Sequence, residues 1–116
     1  MQRPLGITNE EEWIESCREI VRTASAILDR DIGLTEGARH LVRLHFNVRA
    51  EHDPDFITFV GLASKTDHFP VGHVRDHWSV EALERYDHER EAMEEHWRSR
   101  TDEASKNLVN KYKEIA

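Results

Sequence analysis

Apolar residues recur at helical spacing along nearly the whole chain. Trp13, Ile14, Cys17, Ile20, Val21, Ala24, Ile27 and Leu28 fall three or four apart and form one continuous stripe. That spacing predicts an amphipathic helix from about Asn9 to Arg30. Thr8 and Glu11 match the T-x-x-E capping box, in which each side chain satisfies an orphan amide of the other. Asp31 to Leu34 reads as a tight connection, with Gly33 suited to a positive φ near a helix end. Thr35 is the expected cap of a second helix from about Glu36 to Val48, with Ala38, Leu41, Val42, His45 and Val48 on its inner face. A link this short predicts an antiparallel helical hairpin.

Asp53-Pro54 is a helix start: a capping aspartate, then proline at the first helical position. Phe56, Phe59, Val60 and Ala63 follow at helical spacing, so a short third helix should end near Ser64. A buried strand over 56–63 is the rival reading, but nothing else in the chain resembles a pairing strand. Gly61 weakens the helix by about 1 kcal/mol against alanine, which suggests a close approach by a neighbouring backbone. Phe69 to Gly72 reads as a turn with proline in second place. Ser79 then caps a fourth helix, with Trp78 and Leu83 spaced for a hydrophobic staple. Tyr86, Met93, Trp97, Ala104, Leu108, Tyr112 and Ile115 carry a stripe almost to the end.

The expected fold is all-α. It has an N-terminal helical hairpin, a short third helix, an ordered loop and a long C-terminal helix, in one domain over 1–116 with residues 1–7 as a loose arm. An unbroken helix over 80–115 would run about 54 Å at 1.5 Å per residue. A globule of this length has a radius of gyration of about 13 Å. The last helix must therefore overhang, break near residues 99–102 where Thr101 could cap anew, or pack on a second chain. Met93 and Trp97 stand in that polar stretch as candidate contacts of a homodimer.

Charge sharpens the picture. Charged residues make up 34% of the chain and the formal net charge is −7 with histidines neutral. That balance argues against nucleic acid as partner and favours a protein partner, a basic one by charge. The single cysteine, Cys17, permits no internal disulfide and fits a reducing, cytoplasmic setting. The first residues have no apolar signal core, and no run approaches the roughly 18 apolar residues of a membrane span. Charging all eight histidines would move the balance from −7 to +1, so solubility should fall as pH drops from 7 toward 5.5.

The densest cluster of reactive side chains lies between residues 64 and 78: Ser64, Thr66, Asp67, His68, His73, Arg75, Asp76 and His77. His73 and His77 would share a face of an α-helix, as zinc ligands do, but Val74 stands where a zincin carries Glu. No Glu precedes any histidine by three residues, so the di-iron Glu-x-x-His motif is absent. Ser64, Asp67 and His68 make no triad, and no Gly-x-Ser-x-Gly elbow exists. Cys17 sits on a buried stripe, where a thiol is usually inert. No cofactor and no metal is expected. Asp67 and Arg75 could close the loop as an ion pair. In the functional alternative, Arg75 and Trp78, with Asp67, His68 and His77 beside them, hold an anionic group of a ligand.

The string F-x-x-F-x-x-x-x-S-x-T-D-x-x-P-x-G-x-x-R-x-x-W, Phe56 to Trp78, is followed by A-L-x-x-x-D-x-E, Ala82 to Glu89. It resembles a family of small bacterial proteins to which no activity is attached. The similarity runs from about Ile20 to the C-terminus. It implies a bacterial, cytoplasmic protein in which residues 64–78 act as a unit, and it carries over no catalytic residue. The expected function is a non-enzymatic interaction module, of immunity or regulatory type, for a basic partner. The alternative is a small-ligand or metal-dependent enzyme using His68, His73, Asp76 and His77.

Overall fold

Four α-helices and one 3-10 helix occur among the described residues. The computed structural model describes residues 3–115. Helix α1 spans Glu10–Leu28, α2 Leu34–Asn47, α3 Pro54–Lys65 and α4 Val80–Tyr112, with a 3-10 helix over Gly72–His77 between α3 and α4. No strand occurs among the described residues, so the strand reading of 56–63 fails and the all-α expectation holds. Met1 and Gln2 of the expected arm lie outside the described residues. Residues 3–9 are irregular, and Ile7 packs against the core.

The start of α1 falls one residue later than the capping box implied. Asn9, not Thr8, is the cap, and its side chain accepts the Glu12 amide at 3.0 Å. Asparagine is at least as good a cap as threonine. The shift also places Glu10, Glu11 and Glu12 together in the first turn, at the positive end of the helix dipole.

The α1–α2 link contains a left-handed residue, but it is Arg30 (φ 64°) and not Gly33 (φ −62°). The Asp31 amide reaches back to Ala26 O, which closes the helix end. A left-handed non-glycine costs about 1–2 kcal/mol. The Arg30 side chain offsets this by donating to Ile27 O at 3.1 Å and, bidentately, to Asp102 at 2.9 Å on each arm.

Two of the expected helix starts appear as read. Asp53 caps α3 through the Asp55 amide, Pro54 leads it, and Ser79 caps α4 through the Ala82 amide. On α3 the buried positions are Phe56, Phe59 and Leu62, while Val60 is 38% exposed.

Helix α4 does not break at 99–102. Thr101 is fully buried, and its hydroxyl donates back to the Trp97 and Arg98 carbonyls instead of capping a new helix. The molecule is accordingly elongated, 49 × 28 × 23 Å with a radius of gyration of 15.1 Å. Its long axis matches the roughly 50 Å that 33 helical residues require. Helices α1 and α3 run antiparallel to α2 and α4, as Arg30–Asp102, Thr35–Glu94 and Lys111–Asp53 show. The core forms where all four meet, around Ile20, Ile27, Leu41, Phe56, Phe59 and Leu108.

Met93 and Trp97 are not bare on the overhang. Both are half-buried and pack against the core, and Arg100 lies over the Trp97 indole at 3.9 Å. Gly61 is what admits that indole: a Cβ there would stand 3.0 Å from its Cη2. The close approach expected at Gly61 is thus made by a side chain rather than a backbone.

Candidate functional site

The segment 66–78 is an ordered strap held on two sides. Its turn comes earlier than Phe69–Gly72, since the Phe69 amide donates to Thr66 O at 3.1 Å. Phe69 and Pro70 are buried, and Gly72 takes a positive φ of 67° as the 3-10 helix begins. From α2, Arg39 donates to Thr66 O at 2.5 Å and Phe69 O at 2.9 Å. A cation thus sits at the C-terminal end of α3, where the carbonyls favour it.

From α4, two consecutive residues grip the other side. Tyr86 packs edge-on to Trp78 (centroids 5.1 Å apart) and to Phe69 (6.2 Å). Asp87 accepts both arms of the Arg75 guanidinium at 2.6 and 2.7 Å. Arg75 also donates to Pro70 O at 3.2 Å.

The ion pair expected between Asp67 and Arg75 does not form. The Asp67 side chain is 79% exposed, and its neighbour is His68 at 3.7 Å. Asp87 wins Arg75 because Arg90 already orients its carboxylate, from 3.5 Å. An exposed turn residue would have to lose side-chain entropy to compete.

His73 and His77 do not share a face either. In a 3-10 helix of three residues per turn, a spacing of four turns them about 120° apart. Both are exposed, and His68 is half exposed beside Phe69 and Tyr86. Among the described residues, no three His, Cys, Asp or Glu side chains gather as a metal site would need. Cys17 is fully buried, and burial pushes its thiol up to about 11.

The arrangement extends beyond the strap into a polar chain. Arg90 donates to both oxygens of Glu94 at 3.3 Å. Glu94 in turn accepts the Thr35 amide at 3.0 Å and the Thr35 hydroxyl at 2.8 Å. Thr35 was the expected cap of α2. The cap is Gly33, which offers no side chain, so a carboxylate from α4 does that work across the fold. Strap, α4 and the start of α2 are therefore coupled through Arg75, Asp87, Arg90 and Glu94. Arg39, Arg90 and the burial of Glu94 escaped the sequence reading, and Asp87 was visible only within the A-L-x-x-x-D-x-E string.

The hydrogen bonds from Arg75, then its charge, hold the Asp87 carboxyl below the usual range against the opposing effect of burial. Arg30 does the same to Asp102. Carboxylates depressed in the fold stabilise it above their unfolded pKa, near 3.9, and that contribution is lost as pH falls through the folded value. The melting temperature of Asp87→Asn should therefore lie below the parent's at pH 7, and the gap should close as pH falls below the ordinary carboxylate value of about 3.9. Melting curves across that range test it, and a gap of constant size would contradict it.

No helix among the described residues is long and apolar enough to cross a membrane. No curated protein and no solved structure matches the chain. A family model described as a protein of unknown function, DUF2489, matches residues 7–108, and with nearly all of its helical body covered, the chain belongs to that family.

Proposed function

We propose that this protein is a non-enzymatic interaction module that receives a basic protein partner on the first half of α4. The carrying observation is the solvent face of that half. Glu81, Glu84, Glu89, Glu91 and Glu95 are all exposed there, with Arg85 as the sole exposed lysine or arginine between 80 and 96 and with His88 and His96 exposed among them. Arg90, the other cation in the stretch, is turned inward onto Asp87 and Glu94. A surface of one sign raises the rate and selectivity of encounter with the opposite sign. The strap supports this face from behind through Tyr86 and Asp87, so residues 64–78 serve as its scaffold. The enzymatic alternative has no specific observation in its favour, since His73 and His77 are dispersed and exposed.

The test is affinity capture from the native cell with the parent and with Glu84→Lys/Glu91→Lys, both checked by circular dichroism. A basic protein retained by the parent, released by salt and lost from the folded variant supports the reading. A partner retained equally by both overturns it.

A further inference from the structure

Helix α3 is apolar on its outer side as well as its inner one. Its only charged residues are Asp55 and Lys65, in a chain that is 34% charged. Asp55 is turned to α4, where Asn107 donates to it at 3.0 Å, and Lys65 closes the helix. Phe56, Phe59 and Leu62 fill the core. The solvent side carries Ile57, which is 51% exposed, with Val60 and Ser64 on the same stripe at i, i+3 and i+7. A helix that is apolar all round is one that is buried all round.

Helix α2 extends this face. Arg39 reaches across to Thr66 O, and the His45 ring lies 5.8 Å from that of Phe56. The two helices therefore run antiparallel, with Phe46 level with the start of α3. Phe46 is seven residues from Arg39, so it shares the edge of α2 that borders α3. It is 57% exposed. Three of the six exposed large hydrophobics among the described residues, Phe46, Ile57 and Val60, thus lie on one side of the molecule. Isolated exposed apolar residues are ordinary, but a contiguous patch marks an interface.

The charges around the patch fit a second copy of this chain. The formal balance of −7 makes most of the surface repel a copy. Bordering this face are instead two exposed cations, Arg43 on α2 and Lys65 at the end of α3, and one half-buried anion, Glu51, just before α3. Among the described residues none of the three has an ion-pair partner, and Arg43 meets only His40, at 3.3 Å.

We propose that two copies of this chain pair through α3, antiparallel about a two-fold axis near Val60. That arrangement sets Ile57 of each copy over Ser64 of the other, a large residue against a small one. It also brings Lys65 of each toward Glu51 of the other, so the two ends of the helix complement one another. A self-complementary two-fold contact closes at two subunits. The dimer face is therefore α3 and not Met93 and Trp97, which pack inward. It shares no residue with the acidic half of α4, and it stands or falls independently of the partner proposed there.

Sedimentation equilibrium of the full chain tests this. The mass should rise with concentration from 13.6 kDa toward twice that value. A face of two short helices is small against the roughly 800 Å² per copy of a standard interface, so the pair should dissociate on dilution. Ile57→Lys/Val60→Lys alters two exposed positions. It should keep its helical circular dichroism and weaken pairing at least about tenfold, equivalent to 1.4 kcal/mol. Lys65→Glu should weaken pairing too, and adding Glu51→Lys should restore it. A mass of 13.6 kDa up to millimolar concentration would overturn the proposal. So would pairing unchanged in Ile57→Lys/Val60→Lys, a charge reversal that restores nothing, or assemblies larger than two.

Discussion

Glu94→Ala should destabilise the fold by about 3 kcal/mol, the scale for removing one partner from a buried charged network. Glu94 is 7% exposed. Its loss strands the Thr35 amide at the start of α2 and leaves Arg90 with Asp87 alone, at 3.5 Å. It also removes a negative charge from the positive end of the α2 dipole. For a chain of this length the melting temperature should fall on the order of 10 °C. Glu94→Gln separates the contributions. The amide oxygen can still accept from Thr35, but the charge opposite Arg90 is gone, so its loss should be about half as large. Thermal or urea unfolding of the two variants decides. Glu94→Ala within about 2 °C of the parent would mean that α2 is capped by other means.

Gly37→Ala should also destabilise, although alanine is the better helix former by about 1 kcal/mol. A Cβ at residue 37 would stand 2.6 Å from Cγ1 and 2.7 Å from Cδ1 of Ile27. Ile27 is fully buried and β-branched, so it cannot swing aside cheaply. Overpacking of this kind costs about 1–3 kcal/mol, which exceeds the propensity gain at all but its lower limit. Ile27→Ala removes both contacts. The double variant should therefore lose less stability than the sum of the two single losses. Urea unfolding of the four proteins measures that coupling, and strict additivity would show that α1 and α2 part to admit the methyl.

The elements whose signals are local could be read from the sequence. Asp53-Pro54 and Ser79 mark their helices through side chains two or three residues from the amides they serve, and the α1 stripe needs only spacing. What stayed hidden depends on residues far along the chain. Thr35 looks like a cap because nothing nearby says that Glu94, 59 residues on, will supply the acceptor. Arg30 carries the left-handed conformation in place of Gly33 because Asp102 rewards its side chain. Trp97 looks like an exposed anchor until Gly61 brings α3 under it.

The strap is the instructive case. Arg75 and Asp87 were both in view, one as a loop cation and the other within the A-L-x-x-x-D-x-E string. Their separation of twelve residues exceeds any local rule. Only the docking of the loop on α4 turns two unremarkable charges into a bidentate pair. Asp67, closer in sequence, loses because an exposed turn holds its carboxylate in no fixed place.

The antiparallel pairing of α1 with α4 has a kinetic consequence. The Arg30–Asp102 contact spans 72 residues, and α1 packs more extensively on α4 than on any other element. The apolar stripe of α1 therefore cannot be fully covered until that long loop closes. Closure entropy grows only as the logarithm of loop length, but it must be met before the contacts that repay it exist. Helices α2 and α3, joined by a short link, can pair first. The docking of α4 then completes the burial of α1, so a nascent chain that has made α1, α2 and α3 still exposes the side of α1 that α4 will cover.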